Sequence, residues 1–391
     1  MQRIAVATVA AAGLFVAMAG PARAEDNAEL RKLVQEEVKA ANEKKKADDT
    51  KDQVMRVRWD NGPKMSTLDG QFALRIVGRI HLDTVFSQVD PDTLDGPAPA
   101  GVGDGFDSAT YFRRVRLGVV VDLGKHVDST IVVDFADPSD PQFRDAFITL
   151  KNLKECISCW MPNIRFGQQY EPVGLETVTS DNWNTFIERA SMTNLHPERS
   201  IGLQLFDSFW KDRATASAGI YSTDADDDVD GFALWDEDDS DGGWAATGRF
   251  SAVPFAKDTC RFVHVGASAS YRKPNEVRFR SRPGLGRGER VVDTMTITDL
   301  ESYLLWNVEL GISWGPFHAA GEYTSVSLDA PLLGDPTFTA WYGQVGWFLT
   351  GESRGYSWKQ GLWGNPKVCC PWLSNNCCCA EIGRASCRER V

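Results

Sequence analysis

No internal stretch of this 391-residue chain reaches the ~20 consecutive apolar residues that a membrane-spanning helix needs, so helical transmembrane architecture is excluded beyond the N-terminus. Histidine is scarce, five in all, and the chain has no G-x-S-x-G, no H-E-x-x-H and no glycine-rich phosphate loop opening a helix. Nothing therefore points to an enzyme or a cofactor, although a Ser, a His and an acid meeting only in space would leave no local motif. Cysteine is sparse until the end, where six of nine crowd together (Cys369, Cys370, Cys377, Cys378, Cys379 and Cys387). Basic residues are outnumbered, 42 against 54 acidic, giving a net charge of -12. No nucleic-acid partner is expected.

The one long apolar run opens the chain. Arg3 supplies a positive start, Ile4 to Ala19 an apolar middle, and Ala22-Arg23-Ala24 a small-residue cleavage pattern, as in a secretory signal peptide over 1–24. An N-terminal anchor is the alternative, disfavoured by the short run and its Gly20-Pro21 end. Residues 25–62 form a second segment, in which Leu30, Leu33, Val34, Val38 and Ala41 share one side at helical spacing. That is either a short amphipathic helix outside the cytoplasm or a charged linker, since fewer than three heptads carry the pattern. At the far end, "KVCCPWLSNNCCCA" has neither strand nor helix period, and its CC and CCC runs do not match C-x-x-C zinc spacing. The final EIGRASCRERV resembles translated sequencing adapter. Residues 361–391 are read as a non-native tail, with a Cys-rich metal site as the alternative.

Between these ends the texture is that of strands. Twelve segments of period-two alternation lie near 70–87, 109–124, 128–137, 143–152, 163–171, 199–210, 213–222, 243–255, 260–273, 299–314, 317–328 and 337–350, parted by Gly, Pro and Asp clusters. Their connections alternate short (LGKHVD, FWKD, FAKD, WGPF) and long (88–108, 172–198, 223–242, 274–298, 329–336). A soluble sandwich has no reason to alternate in this way. A transmembrane antiparallel β-barrel over 63–360 does, with tight turns at the periplasmic end and long loops outside. Trp306 and Trp314 share a parity with Leu304, Val308, Leu310 and Ile312, as an aromatic girdle would, although sandwich cores also use such residues.

Charge sits on the opposite parity. In "TYFRRVRLGVVVDLG", Arg114, Arg116, Gly118 and Asp122 fall on one face; Tyr111, Val115, Leu117, Val119 and Val121 fall on the other. Arg113 shares the apolar parity and is expected above the hydrocarbon, because a midplane arginine facing lipid costs roughly 2–4 kcal/mol. The preceding strand aims Arg75, Arg79, His81 and Asp83 the same way, against Phe72, Leu74, Ile76, Ile80 and Leu82. Guanidinium groups on two strands are prohibitive in a dry core. A wet interior removes the difficulty, and positive charge lining it attracts anions.

"VGRIHLDTVF", "TYFRRVRLGVVVD", "IRFGQQYEPVGLE", "SIGLQL", "SAGIYSTDADDD", "HVGASASYRKP", "GPFHAAGEYTSV" and "YGQVGWFLTGESRGY", in that order, resemble the phosphate-selective porin O/P family of outer-membrane anion channels. The resemblance runs from about Asp69 to Tyr356. It implies an outer-membrane barrel of about sixteen strands, of which twelve are visible, assembled as a homotrimer among lipid and lipopolysaccharide. It further implies an infolded third loop and a ladder of arginines drawing phosphate or polyphosphate inward. The FRR pair matches Arg113 and Arg114; the arginine-rich fifth loop matches "EVRFRSRPGLGRGER", hence Arg278, Arg280, Arg282, Arg287 and Arg290. A solvated basic loop is the alternative there. The third loop departs from the pattern: after Glu176, where phosphate-selective members place lysines, stand Thr177 and Asn182, with Asp181 beside them. That departure weakens the expectation of phosphate specificity, leaving a general or weakly selective porin, or a barrel tethering the envelope, as alternatives.

Two further signals are weak. Asp226, Asp228, Asp230 and Glu237 match the spacing of an EF-hand calcium loop, but their flanks read as strands, and a plain acidic loop is the favoured reading. Cys156 and Cys159 form C-I-S-C in an expected periplasmic turn, where a local disulfide is preferred to zinc or redox work.

Overall fold

The computed structural model describes residues 32, 35–40, 43, 55–60, 62–86, 108–158, 160–223, 243–282, 290 and 292–366. The chain divides into two units, Met1–Arg58 with Met65–Ala73, and Trp59–Lys64 with Leu74–Val391. The first holds an exposed helical stretch, residues 35–40, and most of strands β1 (Met55–Trp59) and β2 (Pro63–Thr67). Val38 lies in that helix and is exposed; the other apolar residues expected to share its face lie outside the described residues.

The second unit is all-β. Its long strands are β3 (Phe72–Val85), β4 (Ala109–Leu123), β5 (Val127–Asp134), β6 (Gln142–Leu150), β7 (Asn163–Tyr170), β8 (Arg199–Phe209), β9 (Ala214–Ser222), β10 (Trp244–Asp258) and β11 (Arg261–Lys273). After the short strands β12 (Arg280–Ser281) and β13 (Val292–Asp293) come β14 (Ser302–Trp314), β15 (Phe317–Asp329) and β16 (Thr337–Trp347). Each of the twelve expected segments overlaps one long strand. From β4 onward each pairs antiparallel with its neighbour in sequence order, with β14 following β11. Turns 124–126, 210–213, 259–260 and 315–316 close the short ends; loops 171–198 and 274–301 rise from the other. Two strands outrun their expected ends, β15 by one residue to Asp329 and β10 by three, past Pro254 to Asp258. The register of β10 slips between Ala252 and Phe255, which accommodates a residue lacking the N–H a regular ladder requires.

Solvent exposure is inverted relative to a water-soluble domain. Along β14, Leu304, Trp306, Val308, Leu310 and Trp314 are exposed, whereas Asn307, Glu309 and Ser313 are buried, Asn307 to 1%. Left in water, each outward Leu or Val would forgo roughly 1.5–3 kcal/mol of burial, so the outer surface is built for lipid. Aromatic pairs mark both edges of that surface. Phe255 lies 6.1 Å from Trp314 and Phe317 5.3 Å from Trp347 near the tight turns; Trp244 lies 5.8 Å from Tyr271 near the long loops.

Two hairpins were not legible as strands. β12 and β13 lie inside the expected loop 274–298. β17 (Gly355–Ser357) pairs with β18 (Leu362–Gly364), so the expected boundary at 360 falls within a hairpin whose Trp363 is buried against Leu175, Val253 and Phe262. Between β6 and β7 lies a single helical turn, α1 (Leu153–Cys156); the Cys156 side chain and Cys159 lie outside the described residues.

Val308, midway along the outer face of β14, tests this orientation. Val308→Arg should destabilise the protein in lipid vesicles by about 2–4 kcal/mol, measured by denaturant titration of the folded band; an unchanged midpoint would place Val308 away from lipid.

Candidate permeation site

Loop 171–198 is pinned to the inner face of β14–β16 at one end. Gly174 has φ +67°, and a Cβ there would sit 2.7 Å from both Glu322 and His196, so the chain enters the interior at a position favouring glycine. Immediately after it, the one-turn helix α2 (Leu175–Val178) turns its first N–H groups to Glu322. That carboxylate accepts from Leu175 N (2.9 Å), Glu176 N (2.8 Å), Tyr342 Oη (2.8 Å) and Asn307 Nδ2 (3.2 Å). His196 closes the anchor, its ring lying between the hydroxyls of Thr177 (2.7 Å) and Thr324 (2.6 Å). Burial pushes the His196 pKa down to about 4 against the opposing charge of Glu309, so the ring is neutral at pH 7.

The same loop reaches the arginines of β3 and β4. Asp181, with 3% of its side chain exposed, places Oδ2 2.8 Å from Arg116 Nη1, 3.1 Å from Arg114 Nε and 3.5 Å from Arg79 Nη1. Its Oδ1 lies 2.6 Å from Arg189 Nη2. Burial alone would raise the Asp181 pKa, but Arg189, Arg114 and Arg116 hold it far below the usual carboxylate range. Glu188 meets Arg113 and Arg114, and Asp134 takes the other side of Arg116 at 2.7 Å. Arg189 also binds its own loop, donating to the carbonyls of Glu176 (3.1 Å) and Thr179 (2.8 Å).

These contacts give Arg113 a partner that its apolar parity did not predict. It forms an ion pair with Glu188 of loop 171–198. Adjacent residues Arg113 and Arg114 reach the same carboxylate, and the exposed Thr110 and Phe112 share the parity of the buried Arg114 and Arg116, so the in–out alternation of β4 changes phase near Arg113. Phe112 turns outward and the Tyr111 hydroxyl is buried. In this way one strand carries three arginines to one side.

Arg75 is half-buried and its Nε has no hydrogen-bond partner among the described residues; it does not join the Asp181 group. Glu176 is buried, its carboxylate accepting from Ala190 N at 3.1 Å, and burial raises its pKa. Thr177 is buried in the His196 anchor, whereas Asn182 is exposed. In loop 274–301, Val277 and Phe279 turn inward onto Tyr303, Leu305, Val326 and Leu328. Arg278 and Arg280 alternate with these two buried residues, and Arg278 is bound through two of its nitrogens by Asp293 (2.8 and 2.7 Å). The Arg282 carbonyl accepts from Ser191 Oγ of loop 171–198 at 3.3 Å. Burial, then Arg290, Arg113 and Arg280, disfavour the charge on Arg282, so positive charge gathers where the two loops meet. Arg287, Asp226, Asp228, Asp230 and Glu237 lie outside the described residues.

Glu188, Arg189, Asp134 and Glu322 were not singled out from the sequence. The adjacent Glu188-Arg189 in a long connection was the available signal for two of them; the others are ordinary inward-parity acids.

An antiparallel sheet with an apolar outside, a charged inside and a loop joining opposite parts of its inner face defines an outer-membrane porin. The chain belongs to the phosphate-selective porin O and P family, whose model it matches over residues 87–369. It is 28% identical over 311 residues to an uncharacterised protein of Caulobacter vibrioides, covering 77% of this chain and 58% of that one. To Porin O of Pseudomonas aeruginosa it is 28% identical over 334 residues, covering 77% and 69%. The chain thus spans 58% of the length of the first relative. Similar solved structures include a loop L8 deletion mutant of OmpT, an outer-membrane protein of Vibrio cholerae (13% identity, TM-score 0.46, 71% of this chain and 78% of that one). In-vitro folded OmpT in trimer form is similar at 12% identity and TM-score 0.35, with 76% and 94% covered. The location is the outer membrane of a Gram-negative bacterium.

The His196 anchor predicts a pH dependence. Once released or unfolded, the ring titrates near 6.5; in the fold it stays neutral to about 4. Anchoring is therefore intact above pH 6.5 and weakens between 6.5 and 4, by about 3 kcal/mol in all at about 1.4 kcal/mol per unit. Glu176 shifts the opposite way, so comparison with His196→Gln isolates the imidazole. Proteolysis of loop 171–198 should accelerate from pH 7 to 4.5 in the parent and much less in the variant; equal acceleration in both would refute the assignment.

Proposed function

We propose that this protein forms a passive, water-filled outer-membrane channel for small anions, with loop 171–198 setting its constriction. The observation that carries this reading is the charge on the inner face. Arg79, Arg113, Arg114, Arg116, Arg144, Arg189 and Arg199 interlock with Asp134, Asp145, Asp181, Glu188 and Glu198, leaving guanidinium groups in excess of carboxylates. Arg280, Arg282 and Arg290 of the neighbouring loop extend that excess outward. Guanidinium groups stay charged at all relevant pH values and bind oxyanions in bidentate fashion.

The preference is modest. Most of the wall arginines are held by the protein's own carboxylates, and Thr177 and Asn182 add no cation to the third loop. Phosphate is a permeant anion in this reading, and a weakly favoured one. Assembly as a homotrimer among lipid and lipopolysaccharide belongs to the same reading. Its support is family membership; nothing in the sequence or site calls for catalysis.

A unit charge 10 Å from a permeating ion contributes about 0.4 kcal/mol in water, about twofold in local concentration. In planar bilayers under a potassium chloride gradient, the reversal potential should report anion preference. Because each charge raises anions and lowers cations by that factor, Arg282→Gln with Arg290→Gln should lower the anion-to-cation permeability ratio by at most about sixteenfold, and by less where salt screens the two charges. Cation preference in the parent protein would overturn the proposal.

A further inference from the structure

The four guanidinium groups around Asp181 form the donor set of an oxyanion site. Arg79 comes from β3, Arg114 and Arg116 from β4, and Arg189 from loop 171–198, and all four converge on one carboxylate within 3.5 Å. A single negative charge does not need four partners. Asp134 and Glu188 already answer Arg116 and Arg114 from their other sides. What lies between the four guanidiniums is a small, planar anion, paired with all four by charge and hydrogen-bonded by Arg116, and the chain itself supplies it.

We propose that Asp181 is a tethered counter-anion that fills an oxyanion-binding site made by Arg79, Arg114, Arg116 and Arg189, and thereby sets a low affinity for free phosphate. This rests on the porin reading for its physiological meaning. The physical argument is competition: a ligand carried on an anchored loop acts at an effective concentration of at least millimolar order, so a free anion must exceed that to displace it. The loop is anchored independently, by Glu322 and His196, so the carboxylate is held in place without the arginines having to recruit it. Serine at 181 leaves room for an oxyanion among the guanidinium groups, and asparagine, no longer held there by charge, can be displaced by one; phosphate suits the donors through its larger number of acceptor oxygens. Asp181 is thus a specificity-determining residue that acts by occupying the site, as distinct from lining it.

The test compares the full-length parent with Asp181→Asn, Asp181→Ser and Asp181→Glu. In planar bilayers with potassium chloride as the carrier salt, inorganic phosphate is titrated and the fall in chloride current is read. The parent and Asp181→Glu should be insensitive up to about 10 mM phosphate, whereas Asp181→Asn and Asp181→Ser should be half-blocked at a concentration at least about tenfold lower. Neutral variants that conduct and respond to phosphate as the parent does overturn the proposal. Should the neutral variants fail to refold in chloride, refolding is repeated in phosphate: recovery of the folded band supports an anion taking the carboxylate's place, and no recovery overturns it. A parent protein that carries no current sinks the porin reading instead. Thermal unfolding then decides: phosphate should raise the midpoint of the neutral variants and leave the parent unchanged, and equal shifts overturn the proposal.

Discussion

A guanidinium withdrawn from bulk water has to be met by a carboxylate or carbonyl oxygen, and the interior of this protein is arranged by that requirement. Stripping one partner from such a buried pair costs about 3–5 kcal/mol, because an uncompensated charge remains. The rule holds far from the Asp181 group. Arg249 on β10 is bound by Glu309 (2.6 Å) and the Gly361 carbonyl (2.8 Å), and Glu309 also meets His264 at 3.0 Å. Arg272 on β11 is bound by Glu171 (2.7 Å), whose carboxylate also takes Ser200 and Thr247 hydroxyls at 2.6 Å. Loop 171–198 begins beside one such group, and the Asp181 group holds it further along. Its course is fixed by charge at one side and by the Glu322 and His196 anchor at the other.

The inner face is not uniformly polar, and where it departs from polarity the chain has folded back upon it. Tyr303, Leu305, Val326 and Leu328 point inward near the long-loop end of β14 and β15, and there the hairpin of loop 274–301 covers them with Val277, Phe279 and Ile297. Lower down, Phe262 and Val253 are covered by Trp363 and the aromatics of the β17–β18 hairpin. Apolar side chains and arginine–carboxylate groups therefore both mark contacts between wall and insertion.

Much of the wall was legible because alternation is a local property. Each of the twelve long strands could be placed from side-chain parity and punctuation, and the inward parity of Arg79, Arg114 and Arg116 followed directly. The exceptions share a cause. Arg113 was assigned to the apolar parity, but the in–out alternation of β4 changes phase beside it, and no residue type in "YFRRV" announces that. β10 runs three residues beyond its expected end at 255, and a register slip between Ala252 and Phe255 absorbs Pro254 within it. Thr177 looked like a constriction residue but is consumed in holding His196, which lies nineteen positions along the chain.

What the sequence determined by itself was the division between an apolar outside and a charged inside, together with the order of strands and loops, since both are written in neighbouring residues. Tertiary structure alone decided what the charges do. Arg79, Arg114, Arg116 and Arg189 come from three segments, and whether they face water or one another's counter-ion depends on where a distant loop comes to rest. Pairing energies fall steeply with distance across the interior, so the partner of a charge is set by spatial proximity, which the linear chain does not encode at any fixed spacing.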